Sequence, residues 1–454
     1  MAHSSAAIGV TAAIAPGRPR GRVVAIAFLG LRAMSAFGAM ANGFALTFSF
    51  ARVLDTHLFA LFMFIGNLGV TVWLFDLGLA RVLYVRLREL HLSGTLAGSK
   101  DTGRQAASVV LLYSALVLTG AAVIFAVRGR LDQGVPLAMF FAFCAMNVPW
   151  YVFRQLSAAT DCFVAFEMLE ALRRVVHITL IIALPFGLGL NLCLALGNAM
   201  WIVVFGSSLL LLIRAGGLVL GTPSALVRAF CTFLRQSRRD LAWSAGYVGS
   251  ELFSYSYPPL LIPLVYGLGP AAIAFDTAYK VFRGANLLHA AACEVAVPWQ
   301  TRAHAAQDRR GMIRATAAAA LLAAVPALGV CALLILAGDM MFGRLLGASA
   351  IVPHALSVLI AVLVAANWLQ TVANFTLVYT GFFSAIARLA LTMAALLSLA
   401  GIYNVVARPG LIGFTACYMA IYIVGAVAHL ILALRLPLAP GGGRPIRVTA
   451  RVTG

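Results

Sequence analysis

The sequence predicts an all-α polytopic membrane protein with about 12 transmembrane helices in two six-helix lobes, and three observations support this. The first is composition: 454 residues that are 62% hydrophobic and 10% charged, with a mean hydropathy of +0.97, lie far outside the soluble globular range. The second is periodic: apolar runs long enough to span a bilayer recur from residue 22 to residue 436 with short polar interruptions, which leaves no room for a sizeable water-soluble domain. The third is charge placement. Of 33 lysines and arginines, twenty-five fall in segments on one side and five (Arg52, Arg128, Arg130, Arg344, Arg408) on the other, while Arg32, Lys280 and Arg283 lie within spans. The positive-inside rule then puts both termini in the cytoplasm and requires an even number of spans. The formal charge of +19 is scattered over inter-helix segments and forms no groove-sized patch, so no nucleic-acid partner is expected.

In chain order, residues 1–22 form a basic cytoplasmic tail, because "MAHSSAAIGVTAAIAPGRPRGR" puts its arginines after a mildly apolar stretch and lacks a signal-peptide core. The N-terminal lobe, 23–213, contains spans over 23–50, 56–84, 106–127, 135–157, 168–188 and 191–213. Its spans are expected to hold no deep carboxylate, since Asp76 lies toward the inner end of span 2. Residues 214–240 make a cytoplasmic linker in which Leu226, Phe230 and Leu234 recur at spacing four beside Arg228, Arg235 and Arg238. That pattern suits either an amphipathic helix on the inner leaflet or an ordinary basic connection.

The C-terminal lobe, 241–436, contains spans over 241–264, 271–298, 315–337, 350–379, 385–406 and 411–434, and residues 437–454 form a second basic cytoplasmic tail. The halves rhyme. "ARVLDTHLFALFMFIGNLGVTVWLFDLGLARVLYVR" follows span 1, and "VYGLGPAAIAFDTAYKVFRGANLLHAAACEVAVPWQTR" follows span 7 about 215 residues later. That separation holds an even number of spans, so the lobes are expected to be related by a pseudo-twofold axis along the membrane normal.

Seven cysteines without a CxxC pair, mostly inside apolar runs, are expected to be small core residues. No HExxH, phosphate-binding glycine loop or nucleophile elbow is present, so no catalytic residue, metal or cofactor is expected. His177, His289, His354 and His429 are isolated and are expected in core or interfacial positions.

The segment after span 1 resembles the first-loop and second-helix region of polysaccharide flippases in the multidrug/oligosaccharidyl-lipid/polysaccharide exporter superfamily. The likeness rests on Ala51-Arg52 and a short turn ending helix 1, and on Asp76-Leu77-Gly78 before Arg81 at the end of helix 2. "DTHLFA" replaces the family's usual small residue and glycine in the first turn. The resemblance implies a twelve-helix exporter for a lipid-linked oligosaccharide.

Span 8 carries four charges. At 100 degrees per residue Asp276, Lys280, Arg283 and Glu294 share one narrow face. A charge at bilayer depth costs about 2.5–3.5 kcal/mol on insertion scales, so this face must meet partners or a wet cavity. Asp276 and Lys280 can pair at i,i+4, which leaves Arg283 without a local acid. On span 7, Ser244, Tyr247, Glu251, Ser254, Tyr255 and Pro258 form a one-sided stripe in which Glu251 can balance the cations or carry a coupling proton. On span 10, Asn367, Gln370, Thr371 and Asn374 form a polar run suited to sugar hydroxyls or to interhelical packing. The flippase resemblance implies that arginines on helices 1 and 8 meet the substrate diphosphate, and by position these are Arg32 and Arg283. Geometry adds Lys280, and Arg32 alternatively snorkels to the inner headgroups.

The expected function is translocation of an undecaprenyl-diphosphate-linked oligosaccharide across a bacterial inner (plasma) membrane by alternating access around a cationic central cavity. Membrane lipids, a polysaccharide polymerase and glycosyltransferases are the expected partners. The alternatives are a multidrug exporter of the same superfamily, which would favour intramembrane carboxylates, and an integral-membrane glycosyltransferase or polymerase, for which the short outer segments leave no catalytic domain.

Overall fold

A bilayer interior offers backbone amides no water, so each apolar run must satisfy its hydrogen bonds within itself. The computed structural model of the protein describes residues 19–72, 76, 78–92, 95, 100–128, 133–380 and 382–436. Among these residues it forms fourteen α-helices and no strand. In the N-terminal lobe they are α1 (Pro19–Val53), α2 (Thr56–Thr71), α3 (Leu79–Leu92), α4 (Lys100–Arg128), α5 (Gly134–Ala145), α6 (Asn147–Ala159), α7 (Phe163–Ala183) and α8 (Leu190–Arg214). In the C-terminal lobe they are α9 (Pro223–Tyr266), α10 (Pro270–Ala305), α11 (Arg309–Leu346), α12 (His354–Tyr379), α13 (Phe383–Ala407) and α14 (Gly410–Arg435).

Length and apolar composition alone qualify α4, α5 with α6, α8, α11, α12, α13 and α14 to cross a membrane. The other predicted spans fall on α1, on α2 with α3, and on α7, α9 and α10. Span 2 falls on two helices, α2 ending at Thr71 and α3 starting at Leu79. Asp76 Oδ1 accepts from Ala80 N at 3.2 Å and so caps α3, and Gly78 takes a left-handed φ of 81° that favours glycine.

Helices overrun the hydropathy boundaries, most of all at α9, which starts at Pro223 where the span was expected at 241. The reason is local. Thr222 caps the helix through a 3.4 Å bond from Ala225 N, Pro223 sits at its first position, and no glycine or proline interrupts residues 224–240, so the polar stretch breaks hydropathy without breaking the helix. The predicted linker residues 223–240 are therefore the first turns of a 44-residue helix.

The packing map repeats with an offset of six spans. α1 lies on α7 as α9 lies on α13, α2 on α5 as α10 on α12, α4 on α5 as α11 on α12, and α7 on α8 as α13 on α14. Contacts between lobes obey the same rule: α1 meets α10 and α2 meets α9, while α1 meets α11 and α4 meets α9. Two repeats of equal orientation about an axis along the membrane normal produce this pattern.

A continuous buried core runs through both lobes, from Phe50, Phe59, Phe62 and Phe140 to Phe275, Phe282, Phe414 and Tyr422. At the face predicted to be outer, Arg52 joins the lobes across two helix C-termini. Its guanidinium donates to Phe48 O at 2.8 Å, Leu345 O at 3.2 Å and Arg344 O at 2.9 Å, and lies 3.4 Å from the centre of the Phe48 ring. Ser349 Oγ adds a 3.0 Å bond to Ala51 O. At the opposite face Arg86 donates to Gln236 Oε1 at 3.1 Å.

Candidate functional site

The charged face of α10 meets the N-terminal lobe. Gly284 allows this approach, because a Cβ there would lie 2.8 Å from Met40 Sδ on α1. Asp276, 3% exposed, forms an ion pair with Lys280 at 2.8 Å one helical turn away. Lys280 Nζ also donates across the lobe boundary to Thr47 Oγ1 on α1 at 2.9 Å. Asn67 on α2 stands between acid and base: its Nδ2 donates to Asp276 Oδ1 at 2.7 Å and to Met63 O at 3.0 Å, and its Oδ1 accepts from Arg283 Nη1 at 2.9 Å.

Arg283 reaches α9 as well, donating from Nη2 to Tyr255 O at 3.4 Å, with its guanidinium 5.2 Å from the centre of the Tyr279 ring. That carbonyl is available because of Pro259. A proline has no N–H to give to the carbonyl four residues earlier, so Pro258 frees Ser254 O and Pro259 frees Tyr255 O. Tyr418 OH takes the first at 2.8 Å, and Tyr279 OH takes the second at 3.1 Å alongside Arg283. The described ionisable groups here, Asp276, Lys280 and Arg283, sum to one positive charge, and among the described residues Arg283 has no carboxylate partner.

The structure brings Asp276, Lys280 and Arg283 together as one group. Arg32 lies in α1 and Glu251 in α9, but the side chains of both, and that of Ser244, are outside the described residues. Glu294 is half-buried, eleven residues beyond Arg283 on α10. The span 10 polar run faces the C-terminal lobe. Asn367, fully buried, donates to Tyr255 OH at 3.1 Å and Tyr422 OH at 2.9 Å, and its Oδ1 pairs with His289 Nδ1 at 3.0 Å. Asn374 Nδ2 donates to Tyr247 OH at 2.9 Å and Thr371 Oγ1 to Asn286 Oδ1 at 3.4 Å, while Gln370 is half-buried with a buried Oε1 that has no partner among the described residues. Asn67, Thr47 and the Tyr255 carbonyl were not foreseen as site groups. The Pro258-Pro259 pair was the available signal for the carbonyl, whereas a lone asparagine or threonine in an apolar run gives none.

Several solved structures that share this architecture are described as transporters. The eukaryotic MATE transporter AtDTX14 matches with a TM-score of 0.59 at 14% identity, over 91% of this chain and 97% of that one. An inward-facing multidrug resistance MATE family transporter of the MOP superfamily gives 0.65 at 13% identity, over 90% and 97%. The chain has the MATE transporter fold. A MOP superfamily transporter from Pyrococcus furiosus, described as having a binding pocket of reverse polarity, matches this fold with a TM-score of 0.56 at 14% identity, over 94% and 97%. No family model matches the sequence, and no curated protein matches it.

Within the N-terminal half of this MATE-type fold two carboxylates near the start of α7, Glu167 and Glu170, are buried, 2% and 4% exposed. Both are neutralised. Glu167 pairs with Arg154 at 2.7 Å, and Glu170 holds Arg173 at 2.7 Å and Arg174 at 2.5 Å. Arg173 stacks 4.0 Å from the centre of the Trp201 ring, and its 3.3 Å contact to His177 Nδ1 makes that nitrogen an acceptor, so His177 donates from Nε2 to Gly197 O at 3.1 Å. The ion pair with Glu170 is what allows Arg173 to be buried, while Arg174 pairs with the same carboxylate from a partly exposed position. The cavity beside them, lined by Leu46, Phe50, His177 and Ile181 among others, has a volume of about 10 Å³, room for one water at most.

Proposed function

We propose that this multi-pass membrane protein is an exporter that moves an undecaprenyl-diphosphate-linked oligosaccharide from the inner to the outer leaflet of a bacterial plasma membrane. The observation that carries the reading is Arg283: a half-buried guanidinium between the lobes whose described partners are all neutral oxygens. A permanent cation held at that depth without a described acid favours an anionic ligand, and its planar fork suits paired phosphate oxygens. Lys280 supplies a second donor, and Arg32 is proposed to join them from α1. Asn367, Gln370 and Asn374 are proposed as sugar contacts and Glu251 with Asp276 as charge-balancing groups. The lobes touch at this level in the present structure, so translocation requires them to part by rocking.

The test is reconstitution of the full chain into liposomes with a fluorescent lipid-linked diphosphate oligosaccharide. Wild-type protein accelerates leaflet exchange, and Arg283→Ala, which removes charge-assisted bonds each worth about 1.5–3 kcal/mol, lowers the rate at least tenfold. Equal rates for both proteins would remove the basis of the proposal.

The second reading is a multidrug exporter, favoured by the description of one solved structure of this fold as a multidrug resistance transporter. A cationic drug requires an available carboxylate, yet Asp276, Glu167 and Glu170 each already pair with a cation. Cation-coupled export of a cationic dye by the same liposomes would favour it.

A further inference from the structure

We infer that Asn67 is a built-in competitor for the substrate's phosphate: its carboxamide oxygen holds the acceptor position on Arg283, and an entering phosphate oxygen replaces it and releases α2 from α10. This deepens the flippase reading and rests on it.

The orientation of the amide is fixed by its neighbours. Asp276 Oδ1 and Met63 O can only accept, so they face Nδ2, and Arg283 can only donate, so it faces Oδ1. An aspartate at the same position would turn an acceptor toward Asp276, and a leucine would satisfy neither side. Asn67 is 6% exposed and belongs to the N-terminal lobe, while Asp276 and Arg283 belong to the C-terminal lobe. Both of its side-chain bonds to charged groups therefore cross the lobe boundary.

Both cations of the site use a donor on a neutral oxygen of the N-terminal lobe: Arg283 on Asn67 at 2.9 Å and Lys280 on Thr47 at 2.9 Å. The second arm of the Arg283 fork rests on a carbonyl, Tyr255 O, at 3.4 Å. A phosphate carries full negative charge, and ionised pairs bond roughly twice as strongly as neutral ones. Diphosphate thus displaces neutral acceptors from both cations, and the bonds it displaces are ones that hold the lobes together. Binding energy is converted into lobe separation at the point where the ligand binds. The closed interface acts as a conformational tax on affinity, which removal of the competitor relieves.

The experiment measures undecaprenyl diphosphate binding to full-length protein in nanodiscs, with undecaprenol as the control lipid. Asn67→Leu, similar in shape and without polar atoms, is expected to bind undecaprenyl diphosphate about tenfold more tightly than wild type. Unchanged or weaker affinity in Asn67→Leu, with binding lost in Arg283→Ala, overturns the competitor role and leaves the anion site standing. Undiminished binding in Arg283→Ala sinks the functional reading itself. A second measurement avoids altering Asn67. With exposed Cys231 replaced by serine, nitroxides at Val70→Cys and Leu287→Cys report the α2–α10 distance. Undecaprenyl diphosphate is expected to lengthen it, and no change, or an equal change with undecaprenol, overturns the inference.

Discussion

Glu170 shows how much one residue can hold in place here. Its two oxygens accept from Arg173 Nε and Nη2 at 2.8 Å each and also pair with Arg174, all within one turn of α7. Replacing it with glutamine keeps the shape and strands two arginines without a counter-charge. Breaking a buried pair typically costs about 3–5 kcal/mol, so Glu170→Gln should lower the thermal unfolding midpoint in detergent clearly, whereas Asp339→Asn, at an exposed 3.4 Å contact with His354, should leave it nearly unchanged. The cluster was partly legible in the sequence. Glu170 stands three and four residues before the two arginines, the spacing of helical pairs, but an Arg-Arg dipeptide near a span boundary reads first as a positive-inside signal. Asp276 and Lys280 were legible by the same spacing, since nothing else explains both on one apolar helix. Asn67 was not, because its meaning lies in residues more than two hundred positions away.

Among the elements, α9 and the two-helix span 2 show opposite uses of helix-breaking residues. Prolines 258, 259 and 263 leave α9 continuous, and the first two free carbonyls for tyrosines and Arg283. Restoring an amide should therefore matter at the site even though it improves the helix. Pro259→Ala is expected to return Tyr255 O to a backbone bond, weaken its hold on Arg283, and lower transport by a fewfold while thermal stability holds or rises; an unchanged rate would mean that the carbonyl is not used. In span 2 Asp76 instead caps α3, with Tyr113 OH bonding Asp76 Oδ1 at 2.9 Å. Spans were legible from hydropathy because burial in lipid dictates it. Helix ends were not, because α9 and α11 run on as polar helices beyond the apolar run, where caps decide the boundary.

Taken whole, the molecule is tied between lobes at three levels: the Arg52 clasp at one face, the Asn67 group within the bundle, and Arg86 with Gln236 at the other face. The proposed alternating access would require the two faces to open in turn, so loosening one should bias the cycle. Arg52→Ala removes the exposed bonds to Arg344 O and Leu345 O, together worth about 1 kcal/mol. In that background a cysteine at position 349 should react with a membrane-impermeant maleimide about fivefold faster than with Arg52 intact; equal rates would show that the clasp does not set closure.

The lobes also share one member. α9 packs against α2 and α4 of the first lobe and α10 and α13 of its own, and 44 residues make a rod of about 66 Å. A tilt of about 10° about its midpoint would swing each tip through about 6 Å, comparable with a whole helical turn. Under the proposed rocking, this helix would act as a balance beam, with its basic N-terminal turns as one arm.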